Sequence, residues 1–425
     1  MKILMMSNTY LPIVGGLEKS VQSFTRQFRA LGHEVLVVVP RLNGSTATED
    51  EVFEIPAVHG FYQTDFSISL PFPETISKVI ETFRPDVIHA HHPFLLGELA
   101  VRAAAEYHKP LIYTYHIRFD QYEHYLPLPP SLARTFLVEL AVGFANLANR
   151  VIAPSESIRD LLVEQGVKTP VDVVPTGIVI ENFAKGDGLR IRKRFGIPET
   201  APVAGYVGRL AREKNLEFLI EAMIAYMQKA PAHFLLAGTG PMEDAIREKI
   251  AKAGFEDRFH LTGILQNTDL ADCYHAMDVF AFASKSETQG LVLCEAMAAG
   301  VPIVALDAPG VREVVRDFKN GRLLDREDVQ TFGEALGWCL APPLAPGELK
   351  ENARKSAALF SSEICARRAL AVYEQARSAG FSGGDFAQSH WHKAVARLKA
   401  EWKLFSNLSH AAGRAVQEFK PGETK

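Results

Sequence analysis

Cysteine is scarce in this chain: four in 425 residues, at Cys273, Cys294, Cys339 and Cys365, too scattered to form a CxxC pair. That spacing argues against both a structural zinc site and a disulfide framework, and a reducing cytoplasm is the expected compartment. An excess of one charge is also missing. Lys and Arg number 46 against 50 Asp and Glu, for a net charge of −4, so nucleic acid binding has no electrostatic support. No run of about 18 apolar residues occurs, and no transmembrane helix is expected. The opening MKILMMSNTYLP is too short an apolar stretch for a secretory signal and lacks a small-residue cleavage site. It reads as a first buried strand over Ile3 to Met6. The apolar-rich segment from Ser131 to Asn149 is broken by Arg134 and Glu139 and reads as a core helix. Several catalytic signatures are absent too: no DxD pair to hold a metal on a nucleotide diphosphate, no GxxxxGK[ST] loop, no GxSxG elbow and no GxGxxG fingerprint. Kinase-like phosphoryl transfer, serine hydrolysis and dinucleotide binding all lose ground.

What is present is a soluble, globular composition, 47% hydrophobic and 23% charged, with length for two or three domains. Short apolar runs alternate with amphipathic segments of helix length: KILMMS, a helix from Leu17 to Leu31, EVLVVVP, then DVIHAH, LIYTYH, RVIAPS and VDVVPTG. A second set follows in PVAGYVG, AHFLLAG, RFHLTG, VFAFAS and PIVAL. Strands alternating with helices imply βαβ units and parallel sheets, hence an α/β chain of two doubly wound, Rossmann-like halves facing a central cleft. The polar stretch ENFAKGDGLRIRKRFGIPE between the sets reads as a linker, its Arg and Lys run as a solvated helix face.

The candidate site residues follow strands. Glu287 and Glu295 stand seven residues apart around Gly290, which opens a helix expected to run to about Ala299. Such a helix start offers unpaired N–H groups and the positive end of a dipole to an anion, with Gln289, Gly290 and Leu291 at its rim. Ordinary capping by a Glu in a first turn explains the carboxylates equally well from this segment alone. Arg209 and Lys214, in VGRLAREKN, suit a diphosphate or a plain surface cluster. Gly15 and Gly16 lie between a strand and a helix, where glycine permits close backbone approach. His116 follows a strand and precedes the polar loop of Arg118, Asp120, Tyr122, Glu123 and His124, too polar for a core segment. His89, His91 and His92 follow another strand, without the spacing of a metal motif. Beyond Gly380, Trp391, Val395, Leu398, Trp402 and Phe405 form one stripe among Lys393, Arg397, Lys399 and Lys403. That helix either lies on an anionic membrane or packs back on protein.

Together the GG loop, His116, GRLAREKN and ETQGLVLCEAMAAGVPIVA resemble the retaining glycosyltransferases of family 4, which have the GT-B fold. VIAPSES, VVPTGI, AGTGPME and FHLTGIL match as well, and the similarity runs from Met1 to about Arg377. The resemblance implies an acceptor-binding domain over 1–185, a nucleotide-sugar-binding domain over 186–360, a helix over 361–379 crossing back, and an extra basic tail over 380–425. It implies a nucleotide-diphosphate sugar, UDP-glucose or a relative, as donor substrate, with no cofactor and no metal. Arg209 and Lys214 would contact the diphosphate, Glu295 the ribose and Glu287 the sugar hydroxyls. The backbone at Gln289, Gly290 and Leu291 would meet phosphates and sugar, Gly15 and Gly16 would approach the phosphates, and His116 would contact the donor sugar. TYHIRFDQYEHYLP with HAHHPFLLG is similar to the diacylglycerol glucosyltransferases of the family, which makes a membrane lipid the expected acceptor and the inner face of the cell membrane a peripheral location. A soluble sugar, sugar phosphate or polysaccharide acceptor, a sugar-nucleotide epimerase, and an inactive GT-B binding module are the alternatives.

Overall fold

The computed structural model describes residues 1–11, 15–41, 52–58, 68–69, 73–121, 129–345, 347–379, 403–404, 406–411 and 414. The chain forms two compact units, one of Met1–Gly177 with Glu363–Lys425 and one of Ile178–Ser362. Strands of the first are β1 (Lys2–Met6), β2 (Glu34–Pro40), β3 (Val52–Ile55), β4 (Ala57–Val58), β5 (Ile68–Ser69), β6 (Val87–Ala90), β7 (Leu111–Thr114), β8 (Arg150–Ala153) and β9 (Val171–Val173). Strands of the second are β10 (Val203–Val207), β11 (His233–Ala237), β12 (Phe259–Gly263), β13 (Val279–Phe282), β14 (Ile303–Leu306) and β15 (Gly321–Leu324).

Unit 1 holds a parallel seven-stranded sheet in the order β3-β2-β1-β6-β7-β8-β9, beside a two-stranded antiparallel ribbon of β4 and β5. Because helices cover both faces, its strands are apolar at successive positions. Side chains alternate: Leu4, Met6 and Val38 enter one buried cluster, Ile3, Met5, Val35 and Val37 the other. Helix Gly16–Ala30 buries Val21, Phe24, Thr25 and Phe28 at helical spacing. Helix Ser362–Ser378 covers the same face with Cys365, Ala366, Ala369, Val372 and Tyr373. Unit 2 holds a parallel six-stranded sheet in the order β12-β11-β10-β13-β14-β15. In each sheet the chain starts in the middle, goes one way, then returns to the other side, as the sequence pattern predicts.

Two expectations change. The stretch read as a linker belongs to unit 2 and forms helices Glu181–Ala184 and Gly188–Arg194. Arg192 is buried rather than solvated: Nε donates to Ala276 O (3.0 Å), Nη1 to Glu199 O and Ala201 O (both 2.8 Å), and Nη2 to Asp278 Oδ2 (2.8 Å). A guanidinium whose donors all find oxygen tolerates burial. Likewise Arg118 and Asp120 do not stay at the surface. They are 7% and 5% exposed and pair through two hydrogen bonds of 2.8 and 2.6 Å. Tyr122, Glu123 and His124 lie outside the described residues.

The core helix expected from Ser131 runs over Pro130–Ala145. Described parts of the tail pack against it: Asn407 Nδ2 donates to Leu140 O at 3.2 Å, Ala411 is fully buried, and Glu139 faces His410 (3.4 Å) and Arg414 (3.7 Å). These residues follow the packed-back reading, while Trp391, Val395, Leu398, Trp402 and Phe405 lie outside the described residues. Among the described residues no helix is long and apolar enough to cross a membrane. The four cysteines stand as buried thiols.

Candidate active site

In unit 2 the residues singled out by sequence gather at the carboxyl ends of β10 and β13. These strands are neighbours although two βα units separate them in sequence, because the sheet reverses direction there. Ligands of doubly wound sheets bind beyond strand ends at such a reversal. The loop after β10 carries Arg209, whose side chain is exposed, and then turns through Arg212–Lys214. Lys214 Nζ donates to Glu287 Oε1 at 2.6 Å, and Ser284 Oγ donates to the same oxygen at 2.8 Å. Burial would raise the Glu287 carboxyl, but the Lys214 ammonium and the hydrogen bonds from Lys214 and Ser284 outweigh it and hold the group below the usual range. Two further bonds join the loops: Asn215 Nδ2 to Ala283 O (3.3 Å) and Ser286 Oγ to Glu213 O (3.0 Å).

Glu287 thus sits ionised beside a cation at the rim. Gln289 is buried behind it, and Gly290 (φ 71°) caps helix Leu291–Ala298, one residue shorter at each end than expected. The two carboxylates differ sharply in access. Glu287 keeps 16% of its side-chain surface, whereas Glu295 is 2% exposed and accepts a 2.8 Å hydrogen bond from Tyr274 Oη.

Gly15, Gly16 and His116 fall in unit 1. Gly15 precedes helix Gly16–Ala30, and a Cβ on it would lie 2.5 Å from Glu18 Oε2, so a larger residue there would make the end of the Glu18 side chain shift. Burial pushes the Glu18 carboxyl up, opposed by Thr9 and the backbone N–H groups of Glu18 and Gly15. This is a capping arrangement, with the third helical residue reaching back to the cap. A carboxyl therefore already stands at this helix start. Gly16 has nothing within 4 Å of a Cβ position.

His116 follows β7, half-buried, with Nε2 2.9 Å from Nδ1 of His91. His89 is bonded at both nitrogens, to Thr114 Oγ1 (2.7 Å) and Tyr373 Oη (2.6 Å), and His92 Nδ1 accepts from Asn8 N at 3.2 Å. Burial pushes His89 and His92 down to about 3, and His91 and His116 well below the ordinary imidazole value. These histidines are neutral in the folded unit. Their folded values lie below the unfolded one, so the stability they contribute is complete above about pH 6.5 and is lost as pH falls toward about 3. Thermal melts should accordingly show the midpoint falling steadily below about pH 6.5. A His92→Asn variant should flatten that fall by up to about 1.4 kcal/mol per pH unit, and an unchanged slope would contradict it.

The sequence reading did not single out Ser284 on Glu287 or Tyr274 on Glu295, and it weighed His91 for a metal rather than as the partner of His116. One signal was available. His89 on β6 and His91 just past its end are two apart, and His116 stands just past the end of β7, which pairs with β6, so neighbouring strand ends bring these imidazoles together.

Two family descriptions match side by side, Glycosyltransferase Family 4 over residues 14–182 and Glycosyl transferases group 1 over 188–356. The chain is 29% identical to the alpha-monoglucosyldiacylglycerol synthase of Streptococcus pneumoniae, over 76% of this chain and 75% of that protein. It is 30% identical to the D-inositol 3-phosphate glycosyltransferase of Xylanimonas cellulosilytica, over 68% of this chain and 72% of that protein. Among solved structures, Anabaena HepE in complex with UDP and glucose matches with a TM-score of 0.72 at 22% identity, over 88% of this chain and 100% of that one. At that identity the likeness is one of fold.

Proposed function

We propose that this chain, which belongs to glycosyltransferase family 4 and has the GT-B fold, moves a glucosyl group from UDP-glucose to a hydroxyl of a membrane lipid such as diacylglycerol, without a metal and with retention of anomeric configuration. The observation that carries this reading is the Lys214–Glu287 pair at the reversal of the second sheet, an ionised carboxylate and an ammonium 2.6 Å apart beside a helix start. A carboxylate there accepts from sugar hydroxyls. The ammonium is a cation with three N–H donors, a charge that suits a phosphate oxygen at this end of the sheet. Arg209 and the start of helix Leu291–Ala298 add positive potential to the same end of the sheet, which suits the charge a departing diphosphate develops.

In this mechanism the bond from C1 to the phosphate oxygen breaks as the acceptor oxygen attacks C1 from the same face. The acceptor proton passes to the departing phosphate oxygen, and the nucleoside diphosphate leaves. His116 contacts the sugar, Glu295 binds the ribose hydroxyls, and the backbone at Gln289, Gly290 and Leu291 meets the phosphates. No cofactor takes part. Lipid as acceptor is supported by the name of the pneumococcal relative. Peripheral attachment to the inner membrane face would fall to the basic, Trp-bearing part of the tail that precedes the residues packed on helix Pro130–Ala145. A second reading, transfer to a soluble sugar phosphate, is supported by the name of the Xylanimonas relative.

The test is a panel of nucleotide sugars followed for nucleotide release in chelator, with and without diacylglycerol vesicles. Release from UDP-glucose that depends on the lipid is the expected result. Release driven by a soluble sugar phosphate instead selects the second reading, and no release from any donor removes both.

A further inference from the structure

We propose that Glu327, on the loop after β15, is a positioning residue: with Asn215 and Lys285 it holds the loops of Lys214 and Glu287 in register. The proposal rests on the reading of that pair as the donor contact. Lys214 lies in the turn Arg212–Lys214, which buries no side chain. The buried residues on either side, Ala211 and Leu216, anchor its ends, and polar ties set what lies between. Asn215 closes the turn in the left-handed region (φ 54°, ψ 41°), which Asn tolerates better than most residues. Its amide nitrogen has two N–H donors and meets two acceptors, Ala283 O at 3.3 Å and Glu327 Oε1 at 3.0 Å. Both partners accept only, so turning the amide over would lose both bonds.

Glu327 serves the other loop as well. Its second oxygen, Oε2, accepts from Lys285 Nζ. Lys285 stands between Ser284, which donates to Glu287, and Ser286, which donates to Glu213 O. One carboxylate therefore ties the residue after Lys214 to the residue two before Glu287, across loops that leave different strands. The hydrogen bond from Lys285 outweighs burial and, with that from Asn215, holds Glu327 below the usual carboxylate range. Glu327 is itself placed by the start of helix Val329–Leu340, whose cap Asp328 Oδ1 accepts from Thr331 N at 2.7 Å. Ties this exposed add little to the stability of the unit, since water and salt screen them. Their effect is on geometry. Lys214 Nζ and Glu287 Oε1 meet at 2.6 Å only while the two loops keep their spacing. A misplacement of about 1 Å can cost about 100-fold in rate.

The test pairs kinetics with a carbon-13 titration of the Glu287 carboxyl in the full chain, assigned through Glu287→Gln. Asn215→Gly keeps the left-handed backbone and removes both side-chain bonds, and Glu327→Ala removes the carboxylate. Each should lower kcat/KM for sugar transfer about 10- to 100-fold with the melting midpoint unmoved. The double variant should be no worse than either single one. In both single variants the Glu287 titration should move up, because a displaced Lys214 ammonium no longer opposes burial. Loss of the Glu327 charge alone would move it down, so the direction separates position from charge. Glu327→Gln, whose amide oxygen still accepts from Asn215, should keep more of the rate than Glu327→Ala. Unchanged kinetics in Asn215→Gly and Glu327→Ala overturn the proposal and leave the functional reading standing, as does an unmoved titration. A titration that moves in the variants of a chain that transfers no sugar supports the positioning and removes the functional reading.

Discussion

Replacing Glu287 with alanine is expected to lower kcat by about 100- to 1,000-fold while the far-ultraviolet spectrum and melting midpoint stay close to those of the unaltered chain. The loss follows from position: the carboxylate is held ionised at the rim of the second sheet by Lys214 and Ser284. Lys214→Met should be as damaging by a different route. Without its cation, burial would dominate and push the Glu287 carboxyl upward, so the variant loses both the proposed phosphate contact and the ionised state of its partner. The double variant should then be little worse than either single one, since the two side chains act as a unit. Steady-state kinetics on the three variants decide the matter. Near-normal turnover in Glu287→Ala would remove the assignment, and additive losses would mean that Lys214 and Glu287 act separately.

The second large effect is expected at Gly238. This residue follows β11 with φ 144°, and a Cβ on it would lie 1.9 Å from the carbonyl oxygen of Gly208, immediately before Arg209. Three backbone bonds lace the two loops together here: Gly208 N to Ala237 O (2.9 Å), Leu210 N to Thr239 O (2.9 Å) and Met242 N to Leu210 O (2.9 Å). Gly238→Ala should cost about 2–4 kcal/mol, from backbone strain and from displacement of the Gly208–Leu210 loop. Urea unfolding measures the first consequence, and the KM for the nucleotide sugar measures the second through Arg209. A variant that unfolds at the unaltered urea concentration would mean that the loops yield freely.

Much of the fold was legible because a parallel sheet covered on both faces writes itself as repeated apolar runs, and EVLVVVP or VFAFAS admit few other readings. The doubly wound pattern was legible, but not which strands meet at its reversal. Nothing local says that β10 lies beside β13, yet that adjacency brings Lys214 to Glu287, 73 positions along the chain. Polar segments misled for a related reason. The run around Arg192 looks solvated in one dimension, and only the folded chain shows four oxygens around its guanidinium. Arg118 and Asp120 bury as a pair, the carboxylate taking Nε and Nη2 of the guanidinium while Nη1 stays buried without a hydrogen-bond partner. Glu287 and Glu295 stood as equals in the sequence, because their spacing carries no record of depth. Tyr274 and the short helix place one at the rim and the other inside.

The route of the chain also sets a timetable for synthesis. His89 waits for the hydroxyl of Tyr373, 284 residues later, and at about 5–20 residues per second a ribosome needs roughly 15–60 s to deliver it. The second unit is one unbroken stretch, Ile178–Ser362, whereas the first is closed only by residues made after it. The half of the protein that emerges last can therefore finish folding first. Until then the first sheet waits on the ribosome with one face covered only in part, by helix Gly16–Ala30, which makes the interval before Ser362–Ser378 appears a period in which a nascent chain needs a chaperone.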